Sequence, residues 1–221
     1  MAELVQIPLA NAEYVARFER PYIGFIANER ARVIEVVFNA LLPFNRRLAD
    51  IDTVNTGSPA EHKVTFRIPG RSITFEFGAE EYKFNKDRLT SASASDDEQI
   101  LLAAERALLE GNSAKVASCM LTVAMHMQPL NKTRDEILAP LVPEPFKDLK
   151  KQRKAWSFGN HMRFEDGDIL LDFSVGFANG IFVRLTSFFP GHPPLSEIIA
   201  KLRSDKEALF GILGVEEAAN A

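Results

Sequence analysis

Residues 62–77 alternate apolar and polar side chains. Val64, Phe66 and Ile68 alternate with Lys63, Thr65 and Arg67, and beyond Pro69-Gly70, Ile73, Phe75 and Phe77 alternate with Ser72, Thr74 and Glu76. A period of two belongs to extended chain with one buried face, so this stretch reads as a β-hairpin. Pro followed by Gly suits the centre of a type II turn, because Pro presets φ and Gly accepts positive φ. A two-residue loop would pair Phe66 with Ile73 and Val64 with Phe75, placing every Phe on one face. The other face would pair Thr65 with Thr74 and Lys63 with Glu76. Type II turns twist less favourably than the primed types, which leaves a longer connection as the alternative. A third strand, Tyr82–Lys86, adds Tyr82 and Phe84 to the apolar face and brings Lys83 beside Glu76.

The aromatic content follows the same logic. The 221 residues include 17 Phe but three Tyr and one Trp, and Phe has no polar handle, so the rings read as sheet core or an apolar groove. Helices are marked by wider spacing. Val33, Val36, Val37, Ala40, Leu41 and Phe44 predict a helix over 28–44, with Asn28 as N-cap and Pro43 near its end. Arg20–Ile26 is a candidate strand before it. Ser95-Asp96-Asp97-Glu98 is a capping box after the polar connector 90–95, opening a helix that Gly111 ends. Further on, Val116–Gln128 reads as a strand, Asn131–Leu149 as a helix broken by prolines, and Arg153–Phe164, Ile169–Val175 and Ile181–Phe189 as strands. Leu195–Leu213 reads as a final helix between Pro193-Pro194 and Gly214.

Each half therefore reads strand, helix, three or four antiparallel strands, helix. The fold class expected is α+β, an antiparallel sheet covered by helices, with an internal duplication of a β-α-β-β-β(-β)-α unit. In element order it resembles TATA-binding-protein-like folds, and the helix-grip fold gives a similar order. The segments are 1–27, with a first strand; 28–112, the first half; 113–214, the second half; and 215–221, a tail, the two halves forming one compact domain.

Chemistry-bearing motifs are sparse. There is no G-x-x-x-x-G-K-[ST] or G-x-G-x-x-G, no pair of histidines at metal-ligand spacing and no nucleophile elbow, so no catalytic residue, cofactor or metal is assigned. An Asp166-Gly167 turn would pair His161 with Asp172, and a three-residue Ala178-Asn179-Gly180 loop would bring Thr186 beside Asp172 and Arg184 beside Ser174. The resulting polar row of His161, Asp172 and Thr186, with Arg163 and Arg184 near it, is the candidate ligand site. Carboxylate–imidazole pairs serve general-base chemistry and arginines receive carboxylate or phosphate. A second candidate is the basic run Lys147, Lys150, Lys151, Arg153 and Lys154 before Trp156, where cations could hold a phosphate backbone and the indole could stack a base. His126 and His192 read as a half-buried strand residue and a helix-start residue.

The formal charge is −4, from 26 Lys+Arg and 30 Asp+Glu, which argues against general attraction to nucleic acid. The lone Cys119 excludes an internal disulfide, and no apolar run is long enough to span a bilayer, so a soluble cytoplasmic protein is expected. The leading expectation is a non-enzymatic binding protein of bacterial or phage type, using an apolar groove or sheet edge for a protein partner or self-association. The alternatives are a small-molecule binder or enzyme using His161, Asp172 and Arg184, and nucleic-acid binding through 147–156.

Overall fold

The structure, a computed structural model, describes residues 2–44, 47–54, 61–68, 70–89, 94–110, 114–142 and 159–218. Its strands are β1 (Glu3–Phe18), β2 (Ile51–Val54), β3 (Lys63–Ile68), β4 (Ile73–Gly78), β5 (Glu81–Lys86), β6 (Val116–Pro129), β7 (Asn160–Phe164), β8 (Gly167–Phe173), β9 (Ile181–Pro190) and β10 (Val215–Glu217). Its α-helices are α1 (Arg30–Leu41), α2 (Ala94–Glu110), α3 (Arg134–Leu138) and α4 (Leu195–Leu213). The strand order is β2-β3-β4-β5-β1-β6-β9-β8-β7, and β10 pairs with β1 in parallel. The class is α+β, as the residue pattern implies, but the expected internal duplication is not confirmed. The chain divides into two compact units: unit 1 holds Met1–Ala10, Thr122–Ser187 and Ser196–Ala221, and unit 2 holds Asn11–Leu121 and Phe188–Leu195. No described helix is long and apolar enough to cross a membrane.

Unit 2 is organised by its aromatic rings. The β3–β4 hairpin pairs Val64 with Phe77, Phe66 with Phe75 and Ile68 with Ile73, two residues away from the two-residue-loop register. The connection is the longer one; Pro69 within it lies outside the described residues, and Gly70 takes φ +79. An even shift leaves each side chain on its expected face. The inner face carries Phe66, Phe75, Phe77 and Tyr82, none more than 1% exposed, and Phe25 meets Phe77 at a tilt of 59° with 5.0 Å between ring centroids. On the outer face Glu76 sits opposite Lys83, as expected, and accepts Lys63 Nζ at 2.9 Å.

The expected strand at Arg20–Ile26 is corrected. The strand lies earlier, as β1, where the inward positions change parity along its length: Glu3 and Val5 are buried at one end, and Ala10, Tyr14, Ala16 and Phe18 further on. That change hides its alternation in the sequence. After β1 the chain turns helical through a π-helical stretch, Phe25–Glu29, which contains Asn28, the expected N-cap, and leads into α1. Tyr22 Oη donates to Glu29 Oε2 across this stretch. A Cβ at Gly24 would lie 2.8 Å from Glu29 Oε1, so glycine makes room for the contact. The 3₁₀ turn Leu42–Phe44 follows α1 and contains Pro43. α2 already begins at Ala94, so the expected Ser95 N-cap is corrected: Ser95 falls within the helix. Gly111 and the connector residues 90–93 lie outside the described residues. Near the start of α2, Asp97 pairs at 3.2 Å with Lys86, both side chains almost fully buried.

In unit 1, α4 packs on the inner face of β8 and β9. Leu171, Ile181, Val183 and Leu185 are buried there with Ile198, Leu209 and Leu213 of the helix, and Ser187 Oγ donates to Asp205 at 3.2 Å. The expected helix at 131–149 is realised as the short α3 and a 3₁₀ turn, Ala139–Leu141, with 143–149 outside the described residues. Thr133 and Glu136 form a reciprocal capping box at the start of α3.

Phe75 touches Phe66, Phe77 and Tyr82 at centroid distances of 6.0–6.4 Å. Phe75→Ala is therefore expected to cost about 3–5 kcal/mol of stability. Urea unfolding checks this as a lower midpoint at unchanged slope.

Candidate functional site

Strand register decides what meets on the outer face of unit 1. The β7–β8 hairpin pairs Phe164 with Gly167, Arg163 with Asp168, Met162 with Ile169 and His161 with Leu170. Its turn is Glu165-Asp166, not Asp166-Gly167, so the expected His161–Asp172 pair does not form. Gly167 explains the shift. It lies within β8 opposite Ser187, where a Cβ would come within 2.1 Å of the Thr186 carbonyl oxygen. Only glycine permits that approach. The next connection also differs from expectation. Phe173 pairs with Ile181, Asp172 with Phe182, Leu170 with Arg184 and Asp168 with Thr186, leaving Ser174–Gly180 as the loop in place of Ala178-Asn179-Gly180. Thr186 is therefore not beside Asp172, nor Arg184 beside Ser174. Both shifts are even, so faces survive while partners change.

The face turned away from α4 thus gathers most of the expected residues around a different carboxylate. Arg163, His161, Arg184 and Thr186 surround Asp168, while Asp172 lies further along and accepts its neighbour's amide, Phe173 N, at 2.7 Å. Asp168 lies 3.7 Å from Arg184 Nη2 and 3.8 Å from His161 Nε2, both beyond hydrogen-bond reach. Their side chains are 39% and 36% exposed. Thr186 Oγ1 is 3.3 Å from Thr122 Oγ1 on β6.

Next along the same face comes a group of rings that the residue pattern does not bring together. The His126 ring lies 5.2 Å from Phe182 and 5.6 Å from Phe177. Its Nδ1 is 2.7 Å from Ser174 Oγ, which also accepts the Phe177 amide at 3.2 Å and so closes the 174–180 loop against the imidazole. Asn179 fastens the far side of that loop, accepting Arg134 N at 2.8 Å and donating to Lys132 O at 3.2 Å. His126, Phe177 and Phe182 all remain half-buried. Alternation in β6 and β9 places His126 and Phe182 on this face, but Phe177 comes from a loop, and no periodicity signals it. The other candidate, Lys147, Lys150, Lys151, Arg153, Lys154 and Trp156, lies outside the described residues.

Unit 2 holds a second polar assembly, this one buried. Glu105 of α2 is 6% exposed, and its Oε1 accepts Tyr14 Oη at 3.1 Å, Tyr82 Oη, and His192 Nε2 at 3.0 Å. Tyr14 Oη is also 3.3 Å from Cys119 Sγ, and that thiol donates to Gly191 O at 3.3 Å. Burial, followed by the Glu105 charge, drives both phenols above the usual tyrosine range. Burial also raises the Cys119 thiol. The hydrogen bond to Glu105 raises His192 above its ordinary value, against an opposing effect of burial. Glu105 was legible as an oddity: it stands four residues after Leu101 and three before Leu108, a carboxylate within the buried stripe of an amphipathic helix.

No protein-family model matches the chain, and no curated protein matches it. Among solved structures, the chain is similar to a rolling circle replication initiator protein from Geobacillus stearothermophilus, with 9% identity over 91% of this chain and 80% of that one, at a TM-score of 0.32. A likeness that loose assigns no residue and carries no mechanism. The expected non-enzymatic protein-partner or self-association role, and the low expectation for nucleic acid, find no support in this comparison, whose neighbour is named as a replication initiator, and neither is carried further. Of the two readings of the phenylalanines, Phe25, Phe66, Phe75 and Phe77 follow the core one at no more than 1% exposed, whereas Phe164 and Phe188 are exposed.

Glu105→Ala would deprive two buried phenols of their shared acceptor, and an unsatisfied buried group costs about 1–3 kcal/mol. A lower melting temperature is expected, larger for Glu105→Ala than for Tyr14→Phe, which removes one of the three donors.

Proposed function

We propose that unit 1 binds single-stranded nucleic acid across the outer face of β6, β9, β8 and β7. The observation that carries this reading is the ring group lying beside two arginines and an imidazole on one sheet face: His126, Phe177 and Phe182 beside Arg184, Arg163 and His161. Unpaired bases stack on aromatic faces, and sheets that present such rings are a recurrent platform for single strands. Phe182 and Arg184 are two residues apart on one strand, so they point the same way about 7 Å apart. A base lying on Phe182 leaves its phosphate near the Arg184 guanidinium. Asp168 keeps Arg184 and His161 close without engaging them in hydrogen bonds; Arg184 Nε is buried, and its terminal guanidinium N–H groups are the ones offered to phosphate oxygens. Thr122, hydrogen-bonded to the buried Thr186, supplies a hydroxyl on the same face. A duplex fits less well, because its bases are already stacked on one another.

Fluorescence anisotropy with a labelled single-stranded oligonucleotide tests the reading. Binding is expected to weaken as salt rises. Phe182→Ala is expected to weaken it by about 1–3 kcal/mol, one stacked base, and Arg184→Ala to reduce the salt slope by about 1. Absence of binding at low salt, or affinity unmoved by both substitutions, overturns it.

A further inference from the structure

The buried assembly around Glu105 has a topological setting that its hydrogen bonds alone do not reveal. Phe188–Leu195 belongs to unit 2, whereas the chain immediately before it, Thr122–Ser187, and immediately after it, Ser196–Ala221, belongs to unit 1. This short segment enters unit 2 without continuing there, so its own contacts must hold it. Gly191 supplies two of them, its amide donating to Ala117 O at 2.7 Å and its carbonyl accepting Cys119 Sγ at 3.3 Å. Phe188–Pro190 are the end of β9 beside β6, and beyond them His192 adds side-chain contacts, with Nε2 at 3.0 Å from Glu105 Oε1 and 3.4 Å from Tyr82 Oη.

We propose that His192 and Glu105 form a pH-operated clasp that fastens the segment Phe188–Leu195 to unit 2. The argument rests first on charge. The Glu105 side chain is 9% exposed, and its other two donors, Tyr14 and Tyr82, are neutral phenols. A buried carboxylate with only neutral donors carries an uncompensated charge, and protonated imidazole is the one partner here that compensates it. His192 is the member of the group placed to exchange protons with water, its side chain being 30% exposed while Tyr14 and Tyr82 are buried.

Glu105 from α2 and Tyr82 from β5 face His192 directly, and Tyr14 from β1 and Cys119 from β6 complete the group through Glu105 and Tyr14. Burial raises both phenols and the thiol, which keeps all three protonated around neutral pH. His192 alone is left to switch there. Its pKa is raised by the Glu105 hydrogen bond, so the clasp is fully closed below the unfolded imidazole value. It loosens as pH rises through the higher folded value.

The test is amide hydrogen exchange on the full chain between about pH 5.5 and 8.5, corrected for the base catalysis of exchange and read at Gly191, whose amide is hydrogen-bonded to Ala117. Protection at Gly191 is expected to fall severalfold across this range in the wild type and to stay level in His192→Gln, whose amide can donate but does not titrate. Equal pH dependence in the two proteins overturns the clasp. A ring-carbon NMR titration of His192 gives a second readout on the wild type and on Glu105→Gln. A midpoint above that of a free histidine, lowered by Glu105→Gln, is expected; a midpoint at the free value in the wild type overturns the proposal even if the variants fold poorly.

Discussion

Ring packing beneath β3, β4 and β5 is the interaction on which the rest of unit 2 depends. Phe66, Phe75 and Phe77 lie within 6.1–6.4 Å of one another, and Tyr82 extends the layer at 6.0 Å from Phe75. Tyr82 is also where the apolar layer becomes polar. Its ring continues the core, and its hydroxyl reaches Glu105. Tyr14 repeats the arrangement from β1, 6.1 Å from Tyr82 and opposite Phe84. A buried carboxylate is tolerable there because two rings that must be in the core anyway present their hydroxyls to it. The polar assembly is therefore a product of sheet register. A slip of one residue in β5 would turn Tyr82 to the outer face and leave Glu105 with one phenol.

Much of the fold was legible because period-two and helical patterns depend on local residues alone. The β3–β4–β5 faces, β6 and the bounds of α4 follow from them. What stayed hidden depends on contacts between distant residues. β1 changes the parity of its inward positions midway, which no window of constant period detects. The turn beside Gly167 looked like a hairpin tip in isolation, yet a carbonyl from β9 demands glycine at that strand position.

The candidate site shows the same division. His161, Arg163, Arg184 and Thr186 were placed on a common face, because even register shifts preserve faces. The carboxylate among them was misassigned as Asp172 instead of Asp168, because loop length sets partners and composition does not determine loop length. Phe177 and His192 escaped because both act from connections between strands or helices. Loop residues have no period, and their contacts become visible only once the scaffold has positioned them.

The π-helical stretch ahead of α1 bears on how this chain tolerates change in length. Bonds of the i→i+5 kind accommodate one more residue per turn than an α-helix. Phe25–Glu29 thus stores a surplus residue between two fixed points: Phe25, packed on Phe77, and the buried stripe Val33, Val37 and Leu41. Removing one residue from this stretch can be absorbed by reversion to an ordinary α-turn, with both anchors still in phase. The same deletion further along α1 would rotate everything beyond it by roughly 100° about the helix axis and carry the apolar stripe out of the core. The wide turn is thus the one position in α1 and its lead-in where a change of length need not become a change of face. Its loss would be felt locally, in the contact between Tyr22 and Glu29, while the helix beyond kept its seat.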